Sequence, residues 1–110
     1  MGSRVLILGV TFKENCPDIR NSKVLDVFRE LTEFGLMVDV YDYEADSKEV
    51  TLQIGVEPLE KITNKYDGIL LAVGHKDFVN IDINSIKNDE KSIVFDLKGF
   101  LPRGQVTARL

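Results

Sequence analysis

The feature that most constrains this chain is a set of four short apolar runs separated by helix-like and turn-like stretches. They are residues 4–10 (RVLILGV), 36–41 (LMVDVY), 67–74 (DGILLAVG) and 91–97 (KSIVFDL). The first and third run through without alternating polar residues, as in strands covered on both faces. Between the first two, Val24, Leu25, Val27, Phe28, Leu31 and Phe34 recur at offsets 0, 1, 3, 4, 7 and 10. That spacing predicts one apolar face of a helix over 22–34. Asn21 or Ser22 can cap its start and Gly35 its end. A turn at Asp42, Asp46 and Ser47 leads into a shorter helix over 47–54, stopped by Gly55. Val56 opens a weak third strand, and 75–88 reads as helix broken near Asn80 and Ile81. Regular structure is expected to end at Gly99 and Pro102.

Strands alternating with helices predict an α/β fold: an open, doubly wound, mainly parallel sheet of about five strands with helices on both faces. Ligands of such sheets bind beyond the carboxyl ends of the strands, where the winding direction switches. With inner strands ending at Gly9, Gly74 and Leu97, the functional rim would hold Thr11, Phe12 and Lys13, then His75, then Lys98 and Gly99. The loop after Gly9 is unusual. It runs for about a dozen residues, carries Lys13, Asp18 and Arg20, and has no second glycine, whereas such turns commonly take about two to six residues.

At 110 residues the chain is one domain, with no repeat or low-complexity segment. Its net charge of −4 argues against a nucleic-acid partner, which calls for a basic face. A single small anion needs only two or three well-placed cations. No apolar run approaches the roughly 20 residues of a membrane span, and no signal peptide is expected. Residues 1–3 (Met-Gly-Ser) resemble an expression leftover, and Leu6 stands where a myristoylation signal requires Ser or Thr. A lone cysteine, Cys16, forbids an internal disulfide and fits a reducing, cytoplasmic setting.

Each candidate has an ordinary and a functional reading. Lys13 is either a surface solubiliser or, beside Phe12 on the rim, part of a site holding a ring and a phosphate or sugar hydroxyl. Asp18 can brace the loop through backbone N–H groups. Arg20, ahead of a helix, either pairs with an acid or offers its guanidinium fork to a phosphate. Lys98 either pairs with Asp96 or faces the ligand. Cys16 lacks a neighbouring base and reads as structural. His75 reads as a hinge or a base. No Cys/His/carboxylate spacing suits a metal.

Two architectures fall away. A dinucleotide fingerprint needs glycines two and five residues after Gly9, where Thr11 and Glu14 stand. A phospho-acceptor receiver domain needs an acidic pair where Val10 and Thr11 stand. A dinucleotide domain with a divergent fingerprint would still use an acid at the end of the second strand for the ribose, and Asp42 occupies that place.

The stretch GVTFKENCPDIRNSKVLDVFREL resembles the opening of the C-terminal domain of the UDP-glucose/GDP-mannose dehydrogenase family. The family pattern, Gly-x-x-Phe-Lys, an aspartate, then Arg-x-Ser or Arg-x-Thr, falls on Gly9, Phe12, Lys13, Asp18, Arg20 and Ser22. The likeness continues through VDVYD, AVGHKDF and VFDLKG, and FKENCPD and FDLKG are most like the branch oxidising UDP-N-acetylhexosamines for capsule, O-antigen or Vi-type polysaccharide.

The resemblance implies that residues 4–110 are a Rossmann-like domain that binds the UDP part of a sugar nucleotide. Phe12, Lys13 and Lys98 would contact the substrate and Arg20 would reach the NAD cofactor. Gly9, Asp18 and Ser22 would shape the loop. NAD would be held mainly by an N-terminal domain, which also carries the catalytic cysteine. The enzyme would oxidise a C6 alcohol to a carboxylate in two hydride transfers through a thiohemiacetal and a thioester. The fingerprint, the cysteine motif and the central dimerising helix are not in these residues. The chain therefore looks like an excised domain of a homo-oligomeric enzyme, with no catalytic residue of its own and inactive alone. The alternative is a stand-alone nucleotide-binding or interaction module with no catalytic parent.

Overall fold

Residues 3–10, 24–42, 45, 47–72, 81, 83–88, 92–96 and 108–109 are described by a computed structural model. β1 (Arg4–Leu8) is an interior strand in which Leu6, Ile7 and Leu8 are fully inaccessible. Burial of consecutive residues means that both faces of this strand are covered. The other elements are α1 (Val24–Glu33), β2 (Met37–Tyr41), α2 (Ser47–Ile54), β3 (Gly68–Leu71), α3 (Ile83–Ile86), β4 (Ile93–Asp96) and the two-residue β5 (Ala108–Arg109). The sheet order is β2-β1-β3-β4-β5, and each of these pairings is parallel. The chain is thus an α/β domain with a doubly wound parallel sheet.

The register separates two cores. Leu6, Leu8, Ile69, Leu71 and Val94 face one side, where Tyr66, Ile83 and Ile86 close over them with Leu59, Ile62 and Ile81 at the margin. Ile7 and Val40 face the other side, against Leu25 and Phe28 of α1 and Val50 of α2. Each large side chain buried in this way contributes roughly 1.5–3 kcal/mol relative to exposure. Helices therefore flank the sheet on both faces, as the sequence pattern predicts.

α1 ends in a Schellman motif. Gly35 has φ 88°, its N–H donates to Thr32 O at 3.0 Å, and Leu36 N–H donates to Leu31 O at 3.3 Å. The helix closes at Glu33, so Phe34 leaves the apolar face assigned to it by periodicity and is 78% exposed. α2 matches its expected span. The strand expected at Val56 does not form: Leu59 N–H donates to Val40 O at 2.7 Å, one bond rather than a ladder, and the chain continues to Tyr66 on the opposite face. α3 falls within the helical stretch expected over 75–88. Regular structure continues past Gly99 and Pro102, because β5 adds to β4 in parallel through Phe95↔Ala108 and Asp96↔Arg109.

A polar network stitches the amino ends of the strands. The Asp67 carboxylate accepts Arg4 N–H at 2.9 Å and Asn88 Nδ2–H at 2.8 Å. Asn88 N–H in turn donates to Tyr66 O at 2.8 Å and Ser92 Oγ at 3.1 Å. The inaccessible Tyr66 gives its hydroxyl to Asp39 at 2.6 Å. Burial, and then the Asp39 acceptor, push the Tyr66 phenol well above its ordinary range, so it stays a donor. Donation by Asn88, then by Arg4 N–H, holds the Asp67 carboxyl below its ordinary value.

Two outcomes are expected. Tyr66→Phe leaves Asp39 without this donor and should lower unfolding stability by about 1.5–3 kcal/mol in chemical denaturation. Asp67 has a depressed folded pKa, so its contribution is complete above its unfolded value near 3.8 and is lost as pH falls through the folded value. The melting-temperature advantage over Asp67→Asn should accordingly hold from neutral pH to about pH 5 and close in more acidic buffer.

Candidate functional site

β1, β2, β3 and β4 end level with one another. Leu8 pairs with Tyr41 on one side and Leu71 on the other, and Leu71 pairs with Asp96. The order of strands reverses between β1 and β3, since β1 connects outward to β2 and the chain returns past it to β3. That is the switch point, and its crevice opens beyond the carboxyl ends. β1 and β4 are separated by β3 alone, a backbone spacing of roughly 10 Å at that row.

Beyond the row, the strand gives out at Gly9 and Val10. Gly9 N–H still continues the ladder, donating to Tyr41 O at 3.0 Å. Gly9 itself has φ 95°, a conformation open to glycine and strained for residues with a Cβ. The next amide, Val10 N–H, donates to Asp42 Oδ2 at 2.7 Å in a buried bond. Asp42 Oδ1 accepts Ala45 N–H at 3.1 Å. Val10 is inaccessible and packs with Ala72, which is 4% exposed and donates its N–H to Leu8 O. The base of the crevice is therefore apolar and fixed, with one buried carboxylate bracing two loops.

Of the sequence candidates, Gly9 lies in this rim. Phe12, Lys13, Asp18, Arg20 and Ser22, and likewise Cys16, His75 and Lys98, lie outside the described residues. Asp42 was legible as a turn residue, and its bond to Ala45 is that turn. Its bond to Val10 was not legible, because it spans 32 residues and exists only once β1 and β2 pair.

The same carboxylate tests the fit of a dinucleotide. A ribose-binding acid must present its oxygens to the ligand. Asp42 is 4% exposed and turns both oxygens to backbone N–H groups, so this rim does not fit an NAD ribose in that manner. A hollow of about 540 Å³ lined by Ser47, Lys48, Leu52, Glu57, Pro58 and Glu60 lies beside α2, not at the switch point. Two glutamates against one lysine make it a poor seat for a diphosphate. Among the described residues no His/Cys/Asp/Glu group could hold a metal ion, and no helix is long and apolar enough to cross a membrane.

Residues 6–103 match the UDP-glucose/GDP-mannose dehydrogenase family, UDP binding domain. The chain belongs to this family. The UDP-binding domain is 43% identical over 112 residues to UDP-N-acetyl-D-glucosamine 6-dehydrogenase of Salmonella typhi, covering 99% of the chain and 26% of that protein. It is 44% identical over 104 residues to protein CapL of Staphylococcus aureus, covering 91% of the chain and 24% of CapL. In fold it is similar to a UDP-glucose dehydrogenase from the hyperthermophilic archaeon Pyrobaculum islandicum. The TM-score is 0.79 at 23% identity, over 98% of the chain and 24% of that structure. The UDP-binding domain thus spans about a quarter of the length of these relatives.

Gly9→Ala would place a Cβ at φ 95° and should cost about 1–2 kcal/mol, read as a lower denaturation midpoint.

Proposed function

We propose that this chain is the sugar-nucleotide-binding part of an NAD-dependent UDP-sugar 6-dehydrogenase, with a UDP-N-acetylhexosamine as substrate for surface polysaccharide synthesis. Family membership supports the UDP ligand. The likeness to UDP-N-acetyl-D-glucosamine 6-dehydrogenase and to CapL supports the branch. The observation that carries most weight is the level ending of β1 and β4 one strand apart. Lys13 follows Leu8 by five residues and Lys98 follows Asp96 by two. The loops that carry these two lysines start from the same sheet edge, on strands roughly 10 Å apart, and two ammonium groups suit the charge of one diphosphate.

On this reading Phe12, Lys13 and Lys98 bind the substrate, and Arg20 reaches the cofactor. Gly9, Asp18 and Ser22 shape the loop. NAD is held mainly by another part of a longer, homo-oligomeric enzyme that works in the cytoplasm. The overall reaction converts the C6 alcohol, one water and two NAD⁺ into a carboxylate, two NADH and three protons. These 110 residues supply nucleotide recognition, not hydride transfer. Side chains make the contacts, which is why the loop can dispense with a glycine-rich turn.

Titration of the chain with UDP and separately with NAD, followed by amide NMR, tests this. UDP should bind more tightly than NAD, at about millimolar affinity or weaker, with shifts at Gly9, Val10 and Ala72 and none at Tyr66 or Asn88. Tighter binding of NAD would overturn the reading. Lys13→Ala removes one charge-assisted contact of about 1.5–3 kcal/mol and should weaken UDP by roughly tenfold or more. Mixed with NAD and a UDP-sugar, the chain alone should form no NADH.

A further inference from the structure

We propose that Asp42 is a positioning residue for the nucleotide-binding loop: its buried carboxylate sets the direction in which the chain leaves β1 toward Phe12 and Lys13. The inference rests on the UDP reading above and adds to it a residue that touches no ligand.

Four observations combine. Asp42 joins the two loops that follow neighbouring strands, taking Val10 N–H on one oxygen and Ala45 N–H on the other. The Val10 bond is buried, and Asp42 is 4% exposed, so the carboxylate is shielded from a ligand in the crevice. The residue before Val10 is Gly9 at φ 95°, the position in the strand exit with the widest backbone freedom. Phe12 and Lys13 follow Val10 by two and three residues.

The consequence is one of leverage. Glycine permits the turn but does not select it, and the side chain of Asp42 does the selecting. Lys13 follows Val10 by three residues, a reach of at most roughly 10 Å, so the direction fixed at Val10 limits where its side chain can go. Displacements of even about 1 Å are known to cost large factors in recognition and rate.

The sign of the effect separates this role from two others. A carboxylate near a diphosphate repels it, so if charge alone mattered, Asp42→Asn would tighten UDP binding. If Asp42 only held the fold together, the variant would melt earlier and bind UDP equally well while folded. Positioning demands weaker binding despite the loss of a negative charge.

The experiment compares the unsubstituted chain with Asp42→Asn, Asp42→Ala and Tyr66→Phe, titrated with UDP by amide NMR below every variant's melting transition. Asp42→Asn keeps one acceptor and should weaken UDP by about threefold to tenfold, and Asp42→Ala by more than tenfold. Tyr66→Phe, at the opposite edge of the sheet, should melt earlier with UDP affinity unchanged. Unchanged or tighter binding by the Asp42 variants overturns the positioning role and leaves the UDP reading intact. No response of the unsubstituted chain to UDP overturns both. Should Asp42→Ala fail to fold, Asp42→Asn carries the test, and hydrogen exchange at Val10 adds a second one. That amide should exchange slowly in the unsubstituted chain, and exchange at the rate of an open loop would overturn the proposal.

Discussion

The double coverage of β1 governs this structure. Leu6, Ile7 and Leu8 point alternately to opposite faces, and all three are sealed from water. A strand buried in this way needs a layer on each side, and parallel partners need crossovers to supply those layers. α1 and α2 provide one layer, and the stretch from Leu59 to Tyr66 with α3 provides the other. Parallel pairing then has a geometric result: every strand finishes at the same edge. The row Tyr41, Leu8, Leu71 and Asp96 is that result, and it is why residues distant in sequence start out from neighbouring points.

The two edges of the sheet are held in different ways. At the amino edge, Asp67, Asn88, Tyr66 and Asp39 form a network in which side chains and backbone satisfy one another. It pins the starts of β1, β3 and β4. At the carboxyl edge the ladder gives out at Gly9, and one side chain takes over. Asp42 supplies the acceptor for the Val10 N–H. Rigid base and variable loops are the usual division in α/β proteins.

Family membership and the rim account for each other. A dinucleotide domain reads its ligand through glycine amides and an acid at the end of the second strand. Here the glycines are missing after Gly9, and the acid is turned inward to brace the backbone. On the reading proposed above, recognition passes to side chains on the loops that follow β1 and β4.

Much of the fold was legible because its causes are local. The spacing of Val24, Leu25 and Phe28 marks α1, Gly35 marks its end, and the unbroken apolar stretch of β1 marks an interior strand of a sheet. The family pattern was legible for the same reason, since Gly9, Phe12, Lys13, Asp18, Arg20 and Ser22 lie within one short segment. Tertiary structure decided what depends on partners. After Val56 a single backbone bond, Leu59 N–H to Val40 O, reaches edge strand β2, and no ladder forms among the described residues. Phe34 lost its apolar face because the Schellman turn closes one residue earlier. β5 is two residues long and exists through its pairing with β4, with no apolar pattern to announce it. Asp42 reads in sequence as a turn former, and only the pairing of β1 with β2 makes it a brace across the rim. Propensity and periodicity act along the chain, whereas hydrogen bonds between strands are fixed by what folding brings alongside.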